Sequence, residues 1–323
     1  MLGLIVLLQT LVVAVSGPAT SPQYLPLRVA AAEGDFAREG LDVRLRTTRA
    51  ESGAAEALAQ GQADLAATTL EAMLRFGPRQ PTQHASLVFG LTAAPPCALV
   101  VGAAQAAAVR VVDDLAGLRV GVSTPGAPEH AWLGWLLARA GISVAQLHVV
   151  SVGTRGLVAA LEAGEIHAGL AYEPDATRLL AEGRARLLAD FRTPAAVARA
   201  LGAGSVNAAV FARADRRPAD ADLARVARAL LAAVARLRTA GAEALGAGLP
   251  ARVVGAPTEF EARLAASRDL WLPDGLVSTE QVKQTIVIVR SHTPLPVSLR
   301  IPGAERLLHL EPLRSALKAR PAR

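Results

Sequence analysis

Small hydroxyl residues gather at four places where an apolar run gives way to a helical pattern: Ser16-Gly17 with Ser21, Thr68-Thr69, Ser123-Thr124 with Gly126, and Gly153-Thr154. Backbone N–H groups at a helix start lack intrahelical partners, and the helix dipole adds partial positive charge there. Such loops therefore suit an anionic or strongly accepting group. A carboxylate, sulfonate, nitrate or phosphate fits that chemistry. Ser and Thr are equally favoured as plain helix caps, so any one loop fits either role, while four loops converging on one cleft point to binding. Tyr24 offers an apolar ring and a polar hydroxyl, to a ligand or to the core. Glu173 ends an apolar run and suits either a cationic or hydroxyl group or a fixture held by backbone hydrogen bonds. Asn207 carries both donor and acceptor, for a ligand or for the backbone around it.

Catalytic and metal chemistry find no comparable pattern. The sequence has no P-loop, dinucleotide G-x-G-x-x-G loop, G-x-S-x-G elbow or H-E-x-x-H motif. His84, His130, His148, His167, His292 and His309 show no ligand spacing, so no metal or cofactor is expected. Of these, His130 stands nearest to the Ser123 to Gly126 loop, although a surface or cap role suits it better than ligand contact. Cys97 is the single cysteine and cannot make an internal disulfide; in an extended apolar run its default is a buried, inert thiol. Trp132 and Trp135, three apart, share a helix face and read as core.

The elements that must position these residues come from an internal repeat. Ala37-Arg38-Glu39-Gly40-Leu41 is echoed by Ala138-Arg139-Ala140-Gly141-Ile142, and Ala57-Leu58-Ala59-Gln60-Gly61 by Ala160-Leu161-Glu162-Ala163-Gly164, in the same order and at near-equal spacing. Each glycine suits a helix C-cap. Strands are expected at 12–16, 42–46 and 65–67 in the first copy and at 119–123, 148–151 and 168–170 in the second. Strands alternating with helices imply an α/β protein of two mainly parallel sheets, with ligands outside the carboxyl ends of the strands. Two extended apolar runs, 95–101 and 205–211, suit crossings between two lobes, and a long helix is expected over 219–240.

Size and charge agree. A chain of 323 residues exceeds the roughly 250 to 300 that one core serves, so two lobes are expected. The net charge of +6 comes from arginines scattered among acids, with only 3% aromatic residues, and this argues against a nucleic-acid partner. The apolar run 2–15, broken by Gln9 and Thr10, is shorter than the roughly 20 residues that span a bilayer. With no basic residue ahead of it, its end is read as the first strand and residues 1–9 as the remnant of an export signal.

Several segments carry a family resemblance: Tyr24-Leu25-Pro26-Leu27 with Glu39-Gly40-Leu41-Asp42-Val43; Asp114 to Val122 followed by Ser123-Thr124-Pro125-Gly126; Glu173-Pro174; and Asp269 to Gly275 with Val277-Ser278. Together they resemble the periplasmic substrate-binding proteins of the nitrate, alkanesulfonate, taurine and thiamine-pyrimidine-precursor type. Two departures stand out. Pro128 sits where relatives often place a small hydroxyl residue, and His167 where an Asp is usual and where Asp64 stands in the first copy. The resemblance implies a type II periplasmic-binding fold, with 10–95 and 208–323 as one lobe and 96–207 as the other. It further implies an extracytoplasmic, monomeric, non-enzymatic protein that closes by a hinge on a small anionic organic or oxyanion solute and delivers it to an ABC permease and its ATPase. The alternatives are an enzyme of thiamine-pyrimidine or menaquinone-pathway type on the same scaffold, and a ligand-sensing domain.

Overall fold

The computed structural model describes residues 10–123, 129–153, 156–295 and 299–319. Its strands are β1 (Thr10–Val15), β2 (Asp42–Thr47), β3 (Leu65–Thr69), β4 (Ala85–Gly90), β5 (Cys97–Gly102), β6 (Arg119–Val122), β7 (His148–Ser151), β8 (Ala168–Tyr172), β9 (Ala185–Asp190) and β10 (Ala208–Arg213). They form two sheets of five, in the orders β2-β1-β3-β10-β4 and β7-β6-β8-β5-β9. In each sheet three neighbouring strands are parallel and the fourth is antiparallel to both of its neighbours, so four of the five run one way. The reversed strand, β10 in one sheet and β5 in the other, follows directly on a segment that crosses from the opposite sheet. Both strands are buried along their whole length, as their continuous apolar runs require.

The early helices are α1 (Leu25–Ala32), α2 (Asp35–Arg38), α3 (Glu51–Ala59), α4 (Leu70–Phe76), α5 (Glu129–Arg139), α6 (Leu157–Glu162), α7 (Asp175–Ala181) and α8 (Pro194–Leu201). They are followed by α9 (Asp220–Thr239), α10 (Ala242–Gly248), α11 (Ala251–Val254), α12 (Pro257–Ser267), α13 (Thr279–His292) and α14 (Glu311–Lys318). Helix α9 buries Leu223, Val226, Leu230, Val234 and Leu237, an apolar stripe at helical spacing. Its other face is fastened by ion pairs from Arg228 to Glu39 at 2.7 Å and from Arg236 to Asp35 at 2.9 Å.

The repeat is visible at the level of single bonds. Gly40 and Gly141 hold φ of 71° and 79°, and the next amides, Leu41 and Ile142, donate back to Phe36 O and Leu137 O, each at 3.0 Å. Gln62 N and Glu165 N close the next pair of helices in the same way, onto Ala57 O and Ala160 O. This six-to-one closure needs a left-handed residue, hence the glycine. The departure at His167 keeps the geometry of the first copy. Asp64 accepts the amide of Val12 at 2.8 Å in one sheet, and His167 Nδ1 accepts the amide of Arg119 at 3.0 Å in the other.

The copies differ in one helix. Gly34, at φ 72°, breaks the first into α1 and α2, whereas α5 runs unbroken through eleven residues. Boundaries also move. The first strand covers Thr10–Val15 and leaves Ser16 just beyond it, while Thr68 and Thr69 lie inside β3 and not in a loop. Residues 1–9, read as a signal remnant, lie outside the described residues. Helix α13, fourteen residues without a break, bridges the sheets: Val282 and Val289 join the first core and Ile288 the second.

His167 tests the repeat. Burial, and then the charge of Arg119, holds its pKa below the ordinary value. A lowered folded value means the fold prefers neutral imidazole, as an accepting Nδ1 requires. The stability so provided is complete above the unfolded pKa of about 6.5 and is lost as pH falls through the folded one. Urea midpoints for His167→Ala are expected to show a loss of about 1 kcal/mol at pH 8 that shrinks at pH 5. His167→Asp, which restores the acceptor of the first copy, should retain most of it at both.

Candidate binding site

At the carboxyl end of the first sheet the parallel strands and the incoming crossing meet. Ser16 donates its amide to Ala67 O at 2.9 Å, and Thr68 and Ser16 are both fully buried. Thr69 caps α4, its hydroxyl accepting Ala72 N at 3.1 Å. Asn207 sits one residue before β10, where its side-chain amide donates to Gln23 Oε1 at 2.7 Å and to Thr92 Oγ1 at 3.3 Å. Its backbone bonds both neighbours as well, with Asn207 N on Thr92 O at 2.8 Å and Leu70 N on Asn207 O at 2.7 Å. Asn207 thus joins the two crossings to the start of α4.

The second sheet presents a matching edge. Glu129 opens α5 and is 1% exposed; it accepts the Ser123 hydroxyl and, at 2.8 Å, the Tyr172 hydroxyl. Glu173, which forms a cis peptide with Pro174, accepts Thr177 N at 3.1 Å, Thr177 Oγ1 at 2.9 Å and Arg192 at 3.2 Å. Arg192 also pairs with Asp190 at 2.8 Å. Burial pushes the Glu173 carboxyl upward, partly offset by Thr177 and Arg192. At Asp190 burial acts the same way, but the bonds and charge of Arg192 outweigh it and hold the group below its ordinary value.

One electrostatic fact links the sheets. Glu71, in the first turn of α4, is buried and paired with Arg75 at 2.8 Å. Burial raises its pKa, Arg75 works against that rise, and the charge of Glu129 adds to it. Two carboxyls, one from each sheet's strand-to-helix junction, therefore lie within electrostatic reach. Sequence reasoning singled out neither, because an acid in a helix's first turn is the ordinary complement of the dipole. Gln23, Thr92 and Tyr172 were also not anticipated.

The expected residues fall into three groups. Ser16, Thr68, Thr69 and Asn207 gather at the first edge, and Ser123 and Glu173 at the second. Gly17, buried at φ 71°, and half-buried Ser21 shape the turn after β1, while Tyr24 is fully buried in the first core. Thr124, Gly126 and Thr154, with Pro128, lie outside the described residues. His130 lines a different cavity of about 540 Å³, between α5 and the end of α13, with Gly134, Ile142, Val149, His292 and Pro294. That cavity contains none of the strand-end residues.

No group of three His, Cys, Asp or Glu arranged to hold a metal occurs among the described residues. Cys97 pairs with Tyr172 in the β5–β8 ladder and is wholly buried. Burial first, then the charges of Glu129, Asp190 and Glu173, push its thiol well above the ordinary range. A neutral, enclosed thiol is a poor nucleophile.

The family described as NMT1/THI5 like matches residues 21–201. The chain belongs to the NMT1/THI5-like family. No curated protein sequence matches it significantly. Among solved structures, a protein from Bordetella bronchiseptica RB50 aligns at 23% identity with a TM-score of 0.73, covering 96% of this chain and 97% of that one. The alkanesulfonate-binding protein SsuA from Xanthomonas axonopodis pv. citri, bound to MOPS, aligns at 19% and 0.63, over 93% and 98%. The desulfurization enzyme DszB aligns at 16% and 0.61, over 95% and 99%. These likenesses establish the two-sheet α/β architecture of type II periplasmic binding proteins for this NMT1/THI5-like chain, an architecture that also carries an enzyme.

Two outcomes follow from the site's geometry. Asn207→Ala removes the donor to Gln23 and Thr92 in a buried place, and chemical denaturation should register a loss of about 2 kcal/mol. Iodoacetamide followed by mass spectrometry should leave Cys97 unmodified in the folded protein and alkylate it only in denaturant.

Proposed function

We propose that the protein is the extracytoplasmic solute-binding component of an ABC importer. Residues 10–95 and 208–323 serve as one lobe, 96–207 as the other, and the lobes close by a hinge on one small molecule. The observation that carries this reading is that polar residues of both sheets, Glu71 and Glu129 at the helix starts among them, gather at the carboxyl ends of the strands, where the two crossings are bonded together. A site assembled from both sheets is completed only when they come together, which suits capture and release. The architecture shared with a sulfonate-binding protein supports it. No helix among the described residues is long and apolar enough to cross a membrane. The partner in this reading is a membrane permease with its ATPase.

The carboxyls also bear on the ligand. Anions suit bare helix starts, but those of α4 and α5 already carry Glu71 and Glu129. A solute presenting hydrogen-bond donors or positive charge, such as an amine or an aminopyrimidine of the thiamine-precursor kind, complements them better than an oxyanion does. Ser16, Thr68, Asn207, Ser123, Tyr172 and Glu173 complete the proposed lining. The anionic reading draws its support from the sulfonate-binding neighbour. Taurine, bearing both an ammonium and a sulfonate, tests the two at once.

A thermal-shift panel of aminopyrimidines, taurine, alkanesulfonates, nitrate and aromatic carboxylates, with mass spectrometry of each stabilising compound, decides among these readings. A ligand at a hundred times its dissociation constant adds about 2.7 kcal/mol. The expected result is stabilisation by a donor-bearing compound recovered unchanged, with Glu129→Gln weakening its binding about tenfold or more. A compound recovered altered would establish an enzyme, and stabilisation by simple sulfonates alone would restore the anionic reading.

A further inference from the structure

The strand-end site leaves one buried charge unused, on the far edge of the first sheet. Arg28 of α1 is 4% exposed. Its Nη1 donates to Thr47 Oγ1 at 3.1 Å, while Nε and Nη2 are buried without a hydrogen-bond partner. Arg28 lines a half-open cavity of about 270 Å³ bordered by α1, the edge strand β2 and the turn from α10 to α11. Val43, Leu45 and Thr47, alternate residues on one face of β2, form one wall, and Val253 and Arg252 stand opposite. Among the described residues no carboxylate lines it, and Glu33 Oε1 lies beside Gly248 at its border. Burial first, and then the charge of Arg252, lowers the Arg28 pKa to about 10, so the group is still charged at neutral pH, beside a second cation.

A buried cation with two idle donors is costly unless something pairs with it. Internal bookkeeping accounts for the other buried arginines: Arg213 is tied to Asp215 and to Ala59 O, and Arg263 to Val253 O and Val254 O. Arg28 alone among these lines a cavity while carrying donors without a partner. A guanidinium presents its N–H groups as a planar fork that matches a carboxylate or sulfonate. The aliphatic walls suit a short apolar body behind such a head.

We propose that this cavity binds a small organic oxyanion, a carboxylate or sulfonate on an apolar body, held by Arg28 and Arg252 with Thr47. The site is separate from the strand-end cleft and shares no residue with it. Isothermal titration of the full chain with benzoate and with butane-1-sulfonate, at constant ionic strength, tests it. Saturable binding is expected, weakened at least tenfold in Arg28→Met and several-fold in Arg252→Gln, and unchanged in Glu129→Gln. Because Arg28 has no ion-pair partner to lose, Arg28→Met should melt no lower than the parent when no anion is present. Arg252→Gln, at an exposed position, keeps the test intact should Arg28→Met fail to fold. Absence of binding in the parent overturns the proposal, as does binding that survives both arginine substitutions. Binding that changes in Glu129→Gln but not in the arginine variants assigns the anion to the cleft and overturns it equally.

Discussion

Two segments carry the chain between the sheets, and they are bonded to one another where they pass. Asn207 donates its backbone and side-chain N–H groups to Thr92 O and Oγ1, Ser205 donates to Ala93 O at 2.8 Å, and beside them Glu173 N reaches Pro96 O at 2.9 Å. Each crossing then becomes the single reversed strand of the sheet it enters. The crossings must therefore lie at the carboxyl ends of the parallel strands, since β5 and β10 begin where those strands stop. The polar loops, helix starts and crossings are brought to one place by this topology and not by any local preference.

The same constraint limits how the sheets move relative to each other. Thr285 on α13 accepts Val206 N at 3.0 Å, and Ile288, one turn on, packs in the second core, while Val282 and Val289 pack in the first. The proposed hinge at the crossings would have this helix as its backing, and rotation there would shear the α13 contact with α5. At that contact a Cβ on Gly134 would meet His292 Nδ1 at 2.7 Å, so glycine is what lets the two helices approach.

The parts of the fold that were legible in the sequence are those where one residue type is forced. Left-handed helix closures demand glycine, so Gly40, Gly61, Gly141 and Gly164 marked both copies before any strand was placed. Buried central strands demand unbroken apolar runs, so β5 and β10 could be read as crossing segments. Where several residue types serve, the sequence was silent. Asp64 and His167 differ chemically, yet each supplies one acceptor to one amide. The bridging role of α13 rests on contacts with residues far away in sequence. Among the site residues, Ser and Thr stood out because they fall where apolar runs give way to helical patterns. Glu71 and Glu129 did not, because their position in a first turn has an ordinary explanation, and only burial and proximity give them another.

Charge distribution at the strand ends bears on the proposed capture of a solute. The chain carries a net +6, yet the strand-end region is lined by Glu71, Glu129, Glu173 and Asp190 with Arg75 and Arg192 among them. Each of these carboxyls is held by donors: Glu129 by two hydroxyls, Glu173 by Thr177 and Arg192, Asp190 by Arg192, and Glu71 by Arg75. Carboxyls fixed in this way supply directed acceptors. A binding protein needs such preorganised acceptors, because groups already oriented and desolvated lose little more when the solute arrives.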